Sequence, residues 1–276
     1  MNKKYIFLSL MALSTFACKR AEEVKEEISV VSQPVDTIDL KLAIKREVHL
    51  ETGIGIQWLE EGKGPKVEDG KVYDIDYRVR LEDSTIIDGV HLLRKSSIPY
   101  LVGFNMQPKG WDITMRELKV GDFIHAQIPS RLLRGEHEAK GLIPKHADNY
   151  LNLRVLREVP PTREIDGVKV WVMEQTVHKT PLFSDKNEIE FYAMASTKTN
   201  PLYYNSFATG RPFRARLEDN GVVPGLKKAL INAKKGDRLL ILVPSSQAYG
   251  TKGLHDIVKP NEDIFYNLYV NDIIGK

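Results

Sequence analysis

One tyrosine stands where its side chain is available for chemistry. Tyr249 lies in a turn between Ala248 and Gly250, a place where packing does not call for an aromatic residue. An apolar run at residues 239–243 precedes the turn. A turn-rich segment at 251–262 and a second apolar run at 264–270 follow it. A phenol hydroxyl can donate or accept a hydrogen bond. The pattern predicts a strand, a turn, a long loop and a strand, with a functional role for Tyr249.

Other kinds of catalytic chemistry find little support. His137, His146 and His255 lie in loop segments, and no His, Cys or Asp cluster has metal-ligand spacing. The stretch Gly62–Gly64 lacks the spacing and the following helix of a phosphate loop. No serine lies in a nucleophile elbow. We therefore expect no metal and no other cofactor.

An internal repeat organises most of the chain. Gly110 and Trp111 are followed by a Lys-Val-Gly-Asp stretch at 119–122, and Gly225 and Leu226 are followed at the same distance by Lys-Lys-Gly-Asp at 234–237. The same offset pairs Leu151 with Tyr266. The repeat predicts two copies of one domain.

Short strands and one short helix should build each copy. Leu226, Ala229, Leu230 and Ala233 share one helical face, with Gly225 before the helix and Gly236 closing it. Alternating apolar residues at 72–81, 124–128 and 189–193 predict strands. The fold class is therefore α+β: two domains, each an antiparallel sheet wrapped over one short helix.

The N-terminus predicts an exported, lipid-anchored protein. Lys3 and Lys4 precede an apolar stretch at 5–13 that is too short to span a bilayer. The sequence Ser-Thr-Phe-Ala at 14–17 leads to the chain's one cysteine, Cys18, and this junction resembles a bacterial lipobox whose cysteine is lipidated. A plain secretory peptide cut near Ala17 is the alternative. We expect localisation at the cell envelope, anchored to the membrane and facing the periplasm or the cell surface.

Composition sets the remaining limits. The expected organisation is a signal peptide at 1–17, a charged tether at 18–47, and domains at 48–160 and 161–276, with the boundary at Pro160 and Pro161. The net charge of +3 gives no electrostatic case for nucleic acid as a partner.

The segment around Tyr249, together with the Val-Val-Pro-Gly-Leu stretch at 222–226, resembles the FKBP-type peptidyl-prolyl cis/trans isomerases. The resemblance implies an apolar proline pocket and proline-containing polypeptides as partners. In the second copy it implies that Tyr249 hydrogen-bonds the substrate carbonyl and that Leu226 forms the floor. Phe191, Tyr204, Phe213, Ile257 and Tyr266 would be walls, with Val222 and Val223 as the rim. Asn205 would replace the carboxylate of the family's Phe-Asp pair, which Tyr204 and Asn205 represent here.

Proline isomerisation fits a site without a nucleophile. The barrier is the partial double bond of the peptide, about 18–20 kcal/mol. A twisted amide has lost that resonance, so a dry apolar pocket favours it over the planar form. A thousandfold acceleration requires only about 4 kcal/mol.

The first copy departs differently from the resemblance. It keeps Tyr77, Asp88 and Trp111 as a second candidate pocket, but Arg134 stands at the place of Tyr249. We expect this pocket to be weak or inactive. Two functions remain open for the whole chain: an isomerase assisting the folding of exported proteins, or a non-catalytic chaperone or scaffold in an envelope assembly.

Overall fold

The structure is a computed structural model and describes residues 43–133, 147–175 and 181–275. These residues form two antiparallel sheets of seven strands each. The first sheet contains β1 Arg46–His49, β2 Gly55–Glu60, β3 Val72–Arg80, β4 Ile86–Gly89, β5 Ile98–Leu101, β6 Phe123–Ile128 and β7 Asn149–Val159, with helix α1 at Lys109–Met115. The second contains β8 Arg163–Ile165, β9 Val168–Glu174, β10 Asn187–Ser196, β11 Tyr204–Asn205, β12 Phe213–Ala215, β13 Arg238–Val243 and β14 Ile264–Gly275, with helices α2 at Ser206–Thr209 and α3 at Pro224–Leu230.

The two sheets have the same topology. The first runs β1-β2-β6-β7-β3-β4 with β5 also paired to β3, and the second runs β8-β9-β13-β14-β10-β11 with β12 also paired to β10. Both copies also carry a register irregularity at the corresponding place, between Asp74 and Ile75 and between Glu190 and Phe191. The predicted repeat and the antiparallel α+β class are confirmed.

Helix α3 ends earlier than the sequence predicts. Leu226, Ala229 and Leu230 are buried along it, but it ends at Leu230 and not near Gly236. The chain then turns through Asn232, which has a φ of 65°. The amide of Asn232 donates to the carbonyl of Phe183, so pairing with a neighbouring segment ends the helix. Ala233 is still buried, but beyond the helix.

The second domain also has a helix that the sequence analysis missed. This helix, α2, is a single turn directly after β11. Asn205 caps it, because its Oδ1 accepts a hydrogen bond from the amide of Ala208 at 3.1 Å. Gly210, with a φ of 64°, ends it.

A glycine is required in the first turn of α1 and of α3 for a steric reason. A Cβ on Gly225 would lie 2.4 Å from Cγ1 of Val243, and one on Gly110 would lie 2.4 Å from Cγ2 of Ile128. Only glycine lets the helix approach the strand this closely. Position 225 thereby brings Leu226 against the sheet.

The repeated Gly-Asp motif also has a structural role. Asp122 accepts hydrogen bonds from the amides of Lys119 and Gly62 and from Nε1 of Trp58. Asp237 accepts one from the amide of Lys234 in the same way. In both copies the aspartate therefore fixes the turn that leads into the next strand.

The second sheet is buried on both faces. Leu239, Ile241 and Val243 of β13 lie in the core of the second domain, while Leu240 and Leu242 lie in the core cluster of the first. Side chains alternate along a strand, so β13 serves both cores. Trp171 and Phe265 join the same cluster from β9 and β14. The two domains therefore share an apolar interface.

Within these three described stretches, no helix is long and apolar enough to cross a membrane.

The shared interface predicts coupled unfolding. Leu240 is fully buried, so Leu240→Ala should lower the free energy of unfolding by roughly 2–5 kcal/mol. Leu240 belongs to the second sheet but packs in the core of the first domain, as do Trp58, Trp111 and Trp171. In guanidinium titrations, tryptophan fluorescence, which reports that core, and far-UV circular dichroism, which reports both sheets, should therefore give one coincident transition that the substitution shifts. The control Leu156→Ala, at a position that is 39% exposed on β7, should change the stability far less. Two transitions, only one of them shifted, would contradict a shared core.

Candidate functional site

The second domain contains an apolar cavity beside α3. Its volume is about 120 Å³, which suits one small ring better than a drug-sized ligand. The cavity is lined by residues of strands β10, β12 and β14, of the segment leading into β11, of the loop before α3, and of the turn after β13. The lining residues are Phe191, Ala193, Ala195, Tyr203, Tyr204, Phe213, Gly221, Val222, Val223, Leu226, Tyr249 and Tyr266.

The period of β10 explains one wall. Phe191, Ala193 and Ala195 are alternate residues, so they point to the same face of the sheet. The ring of Phe191 lies 5.5 Å from that of Phe213, and Tyr204 meets Phe213 edge to face at 6.5 Å. The small side chains of Ala193 and Ala195 leave the space that the cavity occupies.

Eight of the ten residues proposed for this pocket line the cavity, and two do not. Asn205 caps α2 with its side chain. Ile257 is 41% exposed; its amide donates to the carbonyl of Leu254 at 2.9 Å, and its carbonyl accepts from Nδ2 of Asn200 at 3.1 Å. Val258 next to it is fully buried, because the turn in this loop points Val258 inward and Ile257 outward.

Strand register relates the walls of the two domains. Tyr77 on β3 faces Leu153 on β7, and Ala193 on β10 faces Leu268 on β14. Leu153 and Leu268 occupy the same place in the repeat. Ala193, and not Phe191, therefore occupies the place of Tyr77.

The same register locates the family's Phe-Asp pair. Asp88 faces Val79, two residues beyond Tyr77, and Tyr204 faces Ala195, two residues beyond Ala193. Tyr204 thus stands where the first domain has Asp88, and Tyr203 takes the place before it. Four lining residues were not proposed from the sequence: Ala193, Ala195, Tyr203 and Gly221. Tyr203 is the aromatic one among them, and the register of the paired strands identifies it.

Three phenol groups meet at the cavity. The hydroxyls of Tyr203 and Tyr266 share a hydrogen bond at 3.4 Å, and Tyr249 lies near enough to act electrostatically on both. Burial raises the pKa of Tyr249. Burial also raises the pKa of Tyr203, with the hydrogen bond to Tyr266 opposing it in part. Burial, together with the influence of Tyr203, raises the pKa of Tyr266 well above its usual range. All three groups are therefore neutral hydrogen-bond donors at physiological pH.

The first domain brings its own three candidates together. The Tyr77 hydroxyl donates to Oδ2 of Asp88 at 3.0 Å, and Trp111 meets the Tyr77 ring edge to face at 5.0 Å. Burial raises the pKa of Asp88, and hydrogen bonds from Gly89 and Tyr77 oppose that rise. Arg134 lies outside the described residues, as does Cys18.

The described parts of the chain contain no group of three or more His, Cys, Asp and Glu side chains that could hold a metal ion. Among the side chains that line the cavity of the second domain, only the phenols are ionisable. The arrangement can therefore bind an apolar ring, exclude water from it and donate hydrogen bonds to a carbonyl.

Comparisons with known proteins identify one family of similar sequences. The family model of the FKBP-type peptidyl-prolyl cis-trans isomerases matches residues 64–156 and 183–271. The chain is 21% identical over 206 residues to peptidyl-prolyl cis-trans isomerase FKBP10 of Homo sapiens, which covers 75% of this chain but 32% of that protein. It is 32% identical over 105 residues to an FK506-binding protein of Neisseria meningitidis serogroup B, covering 38% of this chain and 95% of the relative.

A solved structure of the three FKBP domains of wheat FKBP73 is 18% identical, with a TM-score of 0.40, and covers 82% of this chain and 97% of that one. The chain spans about a third of FKBP10 but nearly all of the Neisseria protein. With both copies matched by the family model, the chain belongs to the FKBP-type peptidyl-prolyl cis-trans isomerase family.

Proposed function

We propose that this chain is a peptidyl-prolyl cis-trans isomerase that acts on proline-containing polypeptides, with the second domain as its working site. The supporting observation is the aromatic cavity that Tyr249 borders with a neutral hydroxyl. We assign the two domains to residues 48–160 and 161–276, and in each the sheet wraps over its helix as in the family.

The cavity accounts for the reaction without covalent chemistry. A proline ring lies against Leu226 as the floor, between the aromatic walls. The apolar lining removes water from the imide and so favours the less polar twisted state. The Tyr249 hydroxyl donates to the carbonyl before the proline, with Val222 and Val223 at the rim. These contacts hold the substrate in position while the C–N bond rotates.

Removal of one hydroxyl tests this assignment. Tyr249→Phe keeps the ring but removes the donor, so kcat/KM for a cis-proline peptide should fall about tenfold, which corresponds to one hydrogen bond. The control Tyr192→Phe removes a hydroxyl that lies within 3.4 Å of the Gly210 carbonyl outside the cavity, and should leave kcat/KM unchanged. Equal activity of the wild type and Tyr249→Phe would refute the role of the hydroxyl.

The pH profile is a second test. Only the protonated phenols donate, and burial raises the pKa of Tyr203, Tyr249 and Tyr266, so loss of the donors moves to higher pH. Catalysed isomerisation should stay flat from about pH 6 to 9 and decline only above the ordinary tyrosine pKa of about 10. An inflection near pH 6 to 7, measured as kcat/KM, would instead indicate a histidine in the mechanism.

A non-catalytic chaperone or scaffold in an envelope assembly is the second candidate. This candidate is favoured by Tyr204, because the second domain has the phenol of Tyr204 at the place where the first domain has the carboxylate of Asp88. If the protein is a chaperone without isomerase activity, the wild type and Tyr249→Ala should suppress aggregation of a denatured protein equally well. Dependence on Tyr249 would count against this candidate.

The proposal also places the protein at the bacterial cell envelope, assisting the folding of exported proteins. Its support is the leader at 1–17 and the lipobox-like junction at Cys18. Acyl chains on Cys18 would anchor the domains to the membrane through the tether at 18–47.

Fractionation of cells tests the anchor. Wild type should sediment with membranes and carry acyl groups on Cys18 by mass spectrometry. Cys18→Ala removes the lipidated side chain and should move the protein to the soluble fraction. A secreted wild type cut near Ala17 and free of acyl groups would show an ordinary signal peptide instead.

A further inference from the structure

The segment between β10 and β11 connects two walls of the cavity in the second domain. It leaves β10 after Ala195 and Ser196 and arrives at Tyr203 and Tyr204. Within it, the amide of Thr197 donates to the carbonyl of Asn200 at 2.8 Å, which closes a tight turn. The position of this turn therefore sets where Tyr203 enters the pocket.

The first domain contacts the segment through the turn around Asn105 and through Asp69, whose Oδ2 lies 3.6 Å from Nζ of Lys198. Nδ2 of Asn105 donates to the carbonyls of Thr197 at 2.9 Å and Lys198 at 3.2 Å. Oγ of Ser196 donates to the carbonyl of Phe104 at 2.6 Å, and Ser196 is buried. These hydrogen bonds add to the apolar interface between the domains, and in the second domain they involve this segment alone.

Asn105 is itself firmly placed. Its amide donates to Oδ2 of Asp112 at 2.9 Å, and the amide of Gly103 donates to Oδ1 of the same carboxylate at 2.9 Å. Asp112 is buried in α1 and also accepts from the Tyr100 hydroxyl. A fixed backbone gives the Asn105 side chain a defined direction.

The same segment also holds the loop that follows Tyr249, residues 251–262. The amide of Thr199 donates to Oε1 of Glu262 at 2.8 Å, and Glu262 accepts the amide of Lys259 on its other oxygen at 3.1 Å. Nδ2 of Asn200 donates to the Ile257 carbonyl at 3.1 Å. One segment therefore connects the first domain, a pocket wall and this loop.

We propose that Asn105 of the first domain is a positioning residue for the pocket of the second, acting through residues 196–200 on Tyr203 and on the loop at 251–262. The kinetic consequence rests on the proposed isomerase function. The structural consequence, an ordered loop, does not.

The substitution Asn105→Gly tests the proposal in the whole chain. Asn105 has a φ of 54°, which glycine adopts without strain, so the change removes only the side chain. We expect KM for a proline tetrapeptide such as Ala-Ala-Pro-Phe to rise roughly threefold to tenfold, with kcat changed less than twofold, because ground-state binding is weakened. Asn105→Asp, which tolerates the same φ but lacks the donor, should behave alike.

A matched control separates positioning from general loosening of the interface. Lys95→Ala breaks the interdomain ion pair to Glu174, in which the nitrogen and oxygen lie 2.9 Å apart, without touching residues 196–200. It should leave KM unchanged. An equal rise in KM in Lys95→Ala and Asn105→Gly would overturn the proposal.

Hydrogen exchange gives a readout that does not depend on catalysis. The amides of Thr199 and Lys259 should exchange faster in Asn105→Gly and Asn105→Asp than in wild type or Lys95→Ala. Unchanged exchange at both amides in folded Asn105→Gly would refute the positioning role. A wild type without isomerase activity would refute the proposed function instead, and the exchange rates would still decide the role of Asn105.

Discussion

Burial of the second sheet on both faces is the constraint on which the rest of the molecule depends. β13 sends Leu239 and Ile241 to one core and Leu240 to the other. A single domain would expose the outer face to water. Here that face is apolar, and the first domain covers it. The first domain is thus part of the environment that stabilises the second sheet, whatever its own pocket binds.

Sequence patterns predicted the repeat and the α+β class, which depend on strand periodicity and helical spacing, and both of these are local. The residues named for the pocket came from the family resemblance, and eight of them line the cavity. The interface was not predicted, because the unbroken apolar run at 239–243 is equally typical of a strand central to one core. Only the three-dimensional arrangement shows that alternate residues belong to different cores.

The pair at Tyr203 and Tyr204 shows a second limit. Matching by residue type placed the family's aromatic and polar pair one residue too late, on Tyr204 and Asn205. A shift of one residue in a strand exchanges the two faces, so pairing with Ala195 decides which side chain enters the pocket. Asn205 has a residue type that suits a helix cap as well as a pocket, and no local pattern separates those roles.

The candidate sites of the two domains differ in the side-chain hydrogen-bonding groups that they offer. The first presents the Asp88 carboxylate beside the Tyr77 hydroxyl, and the second presents phenols alone. A cationic amine on an inhibitor would form an ion pair with ionised Asp88 but would meet no anion among the lining residues of the second pocket. A neutral carbonyl compound would be favoured there instead. Inhibitor chemistry could thus address one copy of the duplicated domain at a time, and so separate the contributions of the two copies within one intact chain.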